Sequence, residues 1–96
     1  MFQTGKVFYG VDSPGWNLHT ATGERRFRSP DIAFGPPFGT PPKVALALAG
    51  VDAEHATNLR LMLDAEDVEP GEFNIVVSTW EDSLVYNVLV TWIASD

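Results

Sequence analysis

The sequence predicts an all-β domain folded as an antiparallel sandwich. Three observations carry that prediction. The last quarter of the chain contains two long β-rich runs, Glu72–Trp80 and Ser83–Ile93, separated only by Glu81 and Asp82. β-Branched and aromatic residues of this kind suit a pleated, half-buried surface, and the short polar gap suits a tight hairpin. A third apolar run, Lys43–Val51, alternates larger and smaller residues with a period of two. Proline and glycine cut the rest into short segments at regular spacing, the pattern of a sandwich rather than of a helical bundle.

The elements follow in order. Gln3–Tyr9 forms a first strand, closed by Gly10, and Ser13-Pro14-Gly15 is a turn. Trp16 folds back over the core, and residues 19–23 are a polar loop. Residues 24–34 read as a strand that Pro30 confines to an edge or a bulge, because proline cannot donate to the ladder. Gly35-Pro36-Pro37 and Thr40-Pro41-Pro42 punctuate a connection. In Lys43–Val51, Val44, Leu46 and Leu48 share one face and Ala45, Ala47 and Ala49 the other. The small second face suggests that another sheet or chain packs close against it. Residues 52–68 are open: Leu59, Met62 and Leu63 fit a helical stripe, while Leu59, Leu61 and Leu63 alternate equally well as a strand. Helix formers tilt the pattern towards helix. Pro70-Gly71 then turns the chain into the final pair of strands.

Composition limits the function classes. The 96 residues make one domain, 1–96, and 45% hydrophobic content is enough for a core. The net charge is −7, and the basic cluster Arg25, Arg26 and Arg28 stands against it, so nucleic acid and anionic membranes are poor partners. No cysteine is present, which excludes disulfides and thiolate metal sites. No apolar run approaches the ~20 residues of a membrane helix. The first residues lack the basic and apolar regions of a signal peptide, so export by that route is not expected unless the chain is a mature fragment or one module of a larger assembly. His19 and His55 lie far apart, and no nucleophile or phosphate-loop motif occurs. Neither catalysis nor a metal or cofactor is expected.

A further pattern concerns sugars. Trp80 stands beside two acids at a turn. A galactose-type sugar has an apolar C–H patch and a rim of hydroxyls, so its binding needs an aromatic plane and rigid polar groups. Arginine is a strong donor for such hydroxyls because its bonds are charge-assisted and its fork is planar. Arg60, outward-pointing if Leu59 and Leu61 point in, is the candidate donor; the alternative is a surface ion pair with Asp64 or Glu66. Trp80 is the candidate stacking residue, although the sequence also allows a core tryptophan. Tyr86 either closes the pocket or packs between copies. Trp16 and Trp92 are assigned to the core.

The landmarks taken together resemble the H-type lectin domain, the family of the snail agglutinin and of the discoidin C-terminal domain. The residues that carry the resemblance are Gln3-Thr4-Gly5, Gly10, Gly15-Trp16, Phe34, Pro41-Pro42, Val44, Asp52, Asn58-Leu59-Arg60, Gly71 with Phe73, Thr79-Trp80, Val85-Tyr86 and Trp92-Ile93-Ala94. They span essentially the whole chain, and Glu24-Arg25-Arg26 matches a run common in bacterial and phage-borne members. The resemblance implies a six-stranded antiparallel β-sandwich that assembles as a homotrimer. It also implies binding of glycans with terminal GalNAc or galactose in clefts between subunits, and a strand over residues 58–68. By the same resemblance the site comprises Arg60, Trp80, Tyr86 and Glu81, with Gly23 and Glu24 on the acid-bearing loop of a neighbouring protomer. Arg25 and Arg26 either brace that loop or meet an anionic sugar. Tyr9 and Val77 stand where the snail lectin has a disulfide, Gly39 where it has the cysteine linking two trimers, and Glu81 where it has a histidine; the loop over residues 20–26 is shortened. A trimeric structural or receptor-binding module of a phage tail fibre is the competing reading.

Overall fold

The structure is a computed structural model that describes every residue, Met1–Asp96. It is all-β and contains no helix. The strands are β1 (Phe2–Gly10), β2 (Arg25–Arg28), β3 (Ile32–Ala33), β4 (Lys43–Ala53), β5 (Met62–Glu66), β6 (Glu72–Thr79) and β7 (Val85–Ser95). They form two antiparallel sheets. One has the order β1-β7-β4, and in the other β6 pairs with β2 and β3 and with β5.

The strand count agrees with the expected six once β2 and β3 are recognised as one interrupted edge. Both pair with β6, β2 over Val76–Thr79 and β3 over Glu72–Phe73. Pro30 lies in the gap, where a missing N–H costs no ladder bond. Ser29 repairs the break: its hydroxyl accepts from the Ile75 amide at 2.9 Å, and its own amide donates to the Ile75 carbonyl at 2.8 Å.

The two long C-terminal strands are not the hairpin that the short gap suggests. β6 and β7 are not paired with each other and belong to different sheets. Each is central, with both edges already taken, so residues 80–84 carry the chain across the sandwich instead of folding one strand onto the other. Residues 58–68 are likewise not helical. Burial of Leu61, Leu63 and Ala65 against the core overrides local helix preference. The regular strand is shorter than the resemblance implied, however, and begins at Met62. Before it, hydroxyls hold the backbone in place of a ladder: Thr79 donates to the Arg60 carbonyl at 2.5 Å, and Ser83 donates to the Asn58 carbonyl. Leu59, expected to point inward, is exposed on this irregular stretch.

The core sits between the sheets and joins Tyr9, Trp16, Leu18, Phe27, Phe73, Ile75, Val77, Val85, Val88, Val90 and Trp92. Trp16 and Trp92 are both buried, as assigned, and the Trp16 indole N–H donates to the Val85 carbonyl at 3.0 Å. Tyr9 and Val77 are both core residues. The proline-rich connection is pinned by its aromatics: Phe34 stacks on Phe73 at 5.3 Å, meets Phe38 edge-on at 5.0 Å and lies 5.8 Å from Trp92. Such pairs add about 0.5–1.5 kcal/mol each beyond the area they bury. Gly5 lies opposite Trp92 in the β1–β7 register, and any Cβ there would collide with the indole. The outer face of the β1-β7-β4 sheet is uncovered. It presents Phe2, Phe8, Leu89 and Ile93 with the small Ala45 and Ala47.

Candidate functional site

The crossing at residues 80–84 gathers segments that are distant in sequence. Glu81 is left-handed, with φ of 59°, a conformation disfavoured for a residue with a side chain. Its carbonyl is held by the Gly23 amide at 3.0 Å and by Arg25 Nη2 at 2.8 Å. Gly23 is itself left-handed, with φ of 87°, where glycine bears no Cβ penalty. Val85 N–H donates to the Leu18 carbonyl, and Glu54 N–H to that of Leu84, so the polar loop and the end of β4 are fastened to the same turn.

Arg25 is the centre of this arrangement. The alternation Arg25-Arg26-Phe27-Arg28 in β2 points Arg25 inward with Phe27, and it is only 6% exposed. It has no carboxylate partner. Its guanidinium donates instead to the backbone carbonyls of Leu18 (3.4 Å), Thr20 (2.9 Å), Gly23 (2.9 Å) and Glu81 (2.8 Å). A buried guanidinium is tolerated when its donors are matched in this way. Arg25 therefore braces the loop, one of the two roles expected for it.

Arg60 approaches the turn from the other side. Nη1 donates to Asp82 Oδ1 at 2.8 Å and to Ser83 Oγ at 3.1 Å, so its ion pair is with Asp82 and not with Asp64 or Glu66. Nε and Nη2 have no protein partner, which leaves a fixed guanidinium with donors to spare. Trp80, on the same turn, is 36% exposed rather than buried in the core. Glu81 and Asp82 are both exposed.

The sequence-derived site residues fall into two groups. Gly23, Glu24, Trp80, Glu81 and Arg60 meet around one turn within a single chain. Tyr86 forms the second group, at the start of β7 just after the turn, its hydroxyl donating to Glu54 Oε2 at 3.1 Å. That bond raises the Tyr86 pKa, because a phenolate would face a carboxylate. The Glu54 carboxyl is held below its usual range chiefly by the Ala56 amide, with the Tyr86 hydroxyl next.

Trp80 and Glu24 also line a groove of about 510 Å³ on the outer face of the β2-β6-β5 sheet, with Arg26, Met62, Asp64, Glu66, Val76 and Ser78. Arg26 is engaged there by Glu66 at 3.2 Å. Sequence reasoning singled out neither the groove nor Ser83. The inward parity of Arg25 and Phe27 was the available signal for the bracing arginine. No group of three or more histidine, cysteine or acidic side chains is placed to hold a metal ion.

The sequence matches the H-type lectin domain over residues 29–95. The chain belongs to the H-type lectin domain family. Membership marks it as a carbohydrate-binding lectin domain. It is 33% identical over 92 residues to a protein of Fuscovulum blasticum known as ATP synthase subunits region ORF 7, covering 96% of this chain and 79% of that protein. It is also 33% identical over 94 residues to a discoidin-1 polypeptide of Dictyostelium discoideum, covering 97% of this chain and 36% of the discoidin. Among solved structures, recombinant discoidin II of Dictyostelium discoideum superposes with a TM-score of 0.86 at 23% identity, over all of this chain and 36% of that one. The tailspike gp61 of Pseudomonas phage phi297 superposes with a TM-score of 0.63 at 16% identity, over 99% of this chain and 15% of the tailspike. This H-type lectin domain thus spans 36% of the length of each discoidin.

Proposed function

We propose that this domain is a non-catalytic lectin that recognises terminal GalNAc or galactose, with its sites at clefts between the subunits of a homotrimer, and that it serves agglutination or cell adhesion. The observation that carries the reading is that a fixed Arg60 and a partly exposed Trp80 both border the turn at residues 80–84. Arg60 is locked by Asp82 and Ser83 yet keeps Nε and Nη2 free, and Trp80 offers a half-exposed indole on the same turn. Rigid charge-assisted donors beside an aromatic face are what a neutral sugar requires. Glu24 and Glu81 supply carboxylates nearby to accept from hydroxyls. The trimer is supported by the bare apolar face of the β1-β7-β4 sheet, where Phe2 and Phe8 are 66% and 64% exposed. Three weak clefts on one rigid body would gain about 10²–10⁴-fold on a dense glycan surface.

The test is a glycan array of the purified chain at physiological salt, followed by Trp80→Ala. Selective binding to terminal GalNAc or galactose is expected, and the substitution should abolish it while the assembly stays intact. Undiminished binding by Trp80→Ala removes Trp80 from the site.

A second reading has one specific observation in its favour. The fold also occurs within a phage tailspike, consistent with a trimeric structural or receptor-binding module. A folded trimer that is blank on the array and forms a stable complex with tail proteins would favour that reading.

A further inference from the structure

The groove on the outer face of the β2-β6-β5 sheet runs from Trp80 away from the turn. Its floor is set by strand register. Ser78 lies between Arg26 and Met62, and Val76 between Arg28 and Asp64, all on the face opposite the core. The sheet is narrow and nothing in the chain covers it, so these side chains enclose an open trough, with the Trp80 indole at one end and apolar Met62 and Val76 along the bottom. At about 510 Å³ it falls within the ~300–1,000 Å³ range of small-molecule sites. That leaves room for a sugar ring beyond one stacked on Trp80.

The charges in the trough are unequal. Arg26 is occupied by Glu66 at 3.2 Å, and Glu66 is also approached by Arg28 at 3.5 Å. Glu24 and Asp64 line the same trough and make no ion pair or hydrogen bond with any other side chain. Two uncompensated carboxylates therefore flank an aromatic wall. A uronic or sialic acid would be repelled, and a neutral N-acetylated sugar would gain no charge interaction. A protonated amine would be attracted by both carboxylates and by the indole face.

We propose that this groove is a second subsite of the glycan site, and that it takes a sugar ring bearing a free amine, such as a glucosamine unit next to the terminal residue. The inference rests on the lectin reading above. It adds a preference that the residues at the turn do not by themselves provide: partly deacetylated amino glycans over N-acetylated or anionic ones.

The test is calorimetric titration of the full chain at low salt. The probes are free GalNAc and galactose, and each of these joined to glucosamine or to N-acetylglucosamine. The glucosamine disaccharide should bind about fivefold more tightly than its N-acetylated twin, as expected for two exposed charge pairs. Added salt should erase the advantage. Asp64→Asn should cut it to about twofold and leave the N-acetylated disaccharide unaffected. Equal affinity for the two disaccharides overturns the subsite while the lectin reading stands, as does binding of the monosaccharides alone. Failure of every probe removes the lectin reading and the subsite with it. Protection of the Met62 and Ser78 amides that grows with protein concentration in the absence of sugar would put a second copy of the chain in the groove and overturn the proposal.

Discussion

At the scale of single residues, Arg25 shows how a charged side chain becomes structural. Arginine runs are usually solvated, and Arg26 and Arg28 follow that rule by pairing with Glu66 and Asp67 on the surface. Arg25 differs only in parity. One step along the strand turns it inward, where its donors take the place of water for four carbonyls. Arg25→Gln should destabilise the domain by about 2–4 kcal/mol, since it leaves several buried acceptors unmatched. Faster hydrogen exchange at the Gly23 amide and weaker sugar binding should accompany the fall in thermal midpoint. Arg25→Lys should rescue little, because one ammonium cannot serve carbonyls spread from Leu18 to Glu81. An unchanged midpoint in either variant would show that the loop holds without the brace.

At the scale of elements, the split edge β2–β3 has the shortest ladder in the sandwich at β3, which contributes only two residues. It is secured by polar bonds. Asn74 Nδ2 donates to Asp31 Oδ1 at 2.9 Å and to the Ser29 carbonyl at 3.0 Å, and Asp31 shares a hydrogen bond with Glu72. The Asp31 carboxyl is lowered, first by Asn74 and then by Glu72, while that of Glu72 is raised by its bond to the Asp31 carboxylate. The signs follow. The Glu72 contribution is complete below the ordinary glutamate value of 4.5 and is lost as pH rises through its raised pKa. The Asp31 contribution is present above the ordinary aspartate value of 3.8 and is lost as pH falls through its lowered one. Glu72→Gln keeps a donor towards Asp31 and should remove the loss on the alkaline side. Thermal midpoints measured from about pH 3 to pH 8 check this; parallel curves for the variant and the parent would show that the pair has no part in edge stability.

At the scale of the whole molecule, two faces remain unpartnered, and their chemistry differs. The outer face of β1-β7-β4 carries Phe2, Phe8, Leu89, Ile93, Ala45 and Ala47, with two cations, Lys6 between Thr4 and Phe8 on β1 and Lys43 opposite Ser95 at the start of β4. The outer face of β2-β6-β5 is charged and grooved. An apolar sheet face is the kind that identical chains bury against one another, whereas a charged groove next to an indole suits a soluble ligand. Phe8→Ser combined with Ile93→Asp should therefore convert the proposed homotrimer to folded monomers on sedimentation, with far-ultraviolet dichroism preserved. Agglutination should vanish with the trimer even if each monomer keeps its weak affinity. A trimer that survives both substitutions would move the interface between protomers elsewhere.

The sequence alone determined the all-β class, the long strands near β1, β4, β6 and β7, the edge character imposed by Pro30 and the burial of Trp16 and Trp92. Each of these follows from local rules: period-two alternation, the missing proline N–H and aromatic size. The family was legible as well, because its landmarks are spread in order along the chain. Tertiary structure decided the rest. Residues 80–84 look like a hairpin turn locally and become a crossing between sheets because both flanking strands are already paired on both edges. Residues 58–68 carry helix-forming residues and become a held segment followed by a short strand, because Ser83 and Thr79 capture their carbonyls and the core takes Leu61 and Leu63. Arg60 found Asp82 rather than a neighbour in sequence. Arg25 acquired its role from carbonyls that no linear pattern places together. Alternation along a strand tells which way a side chain points, but which groups wait there depends on how the two sheets are stacked.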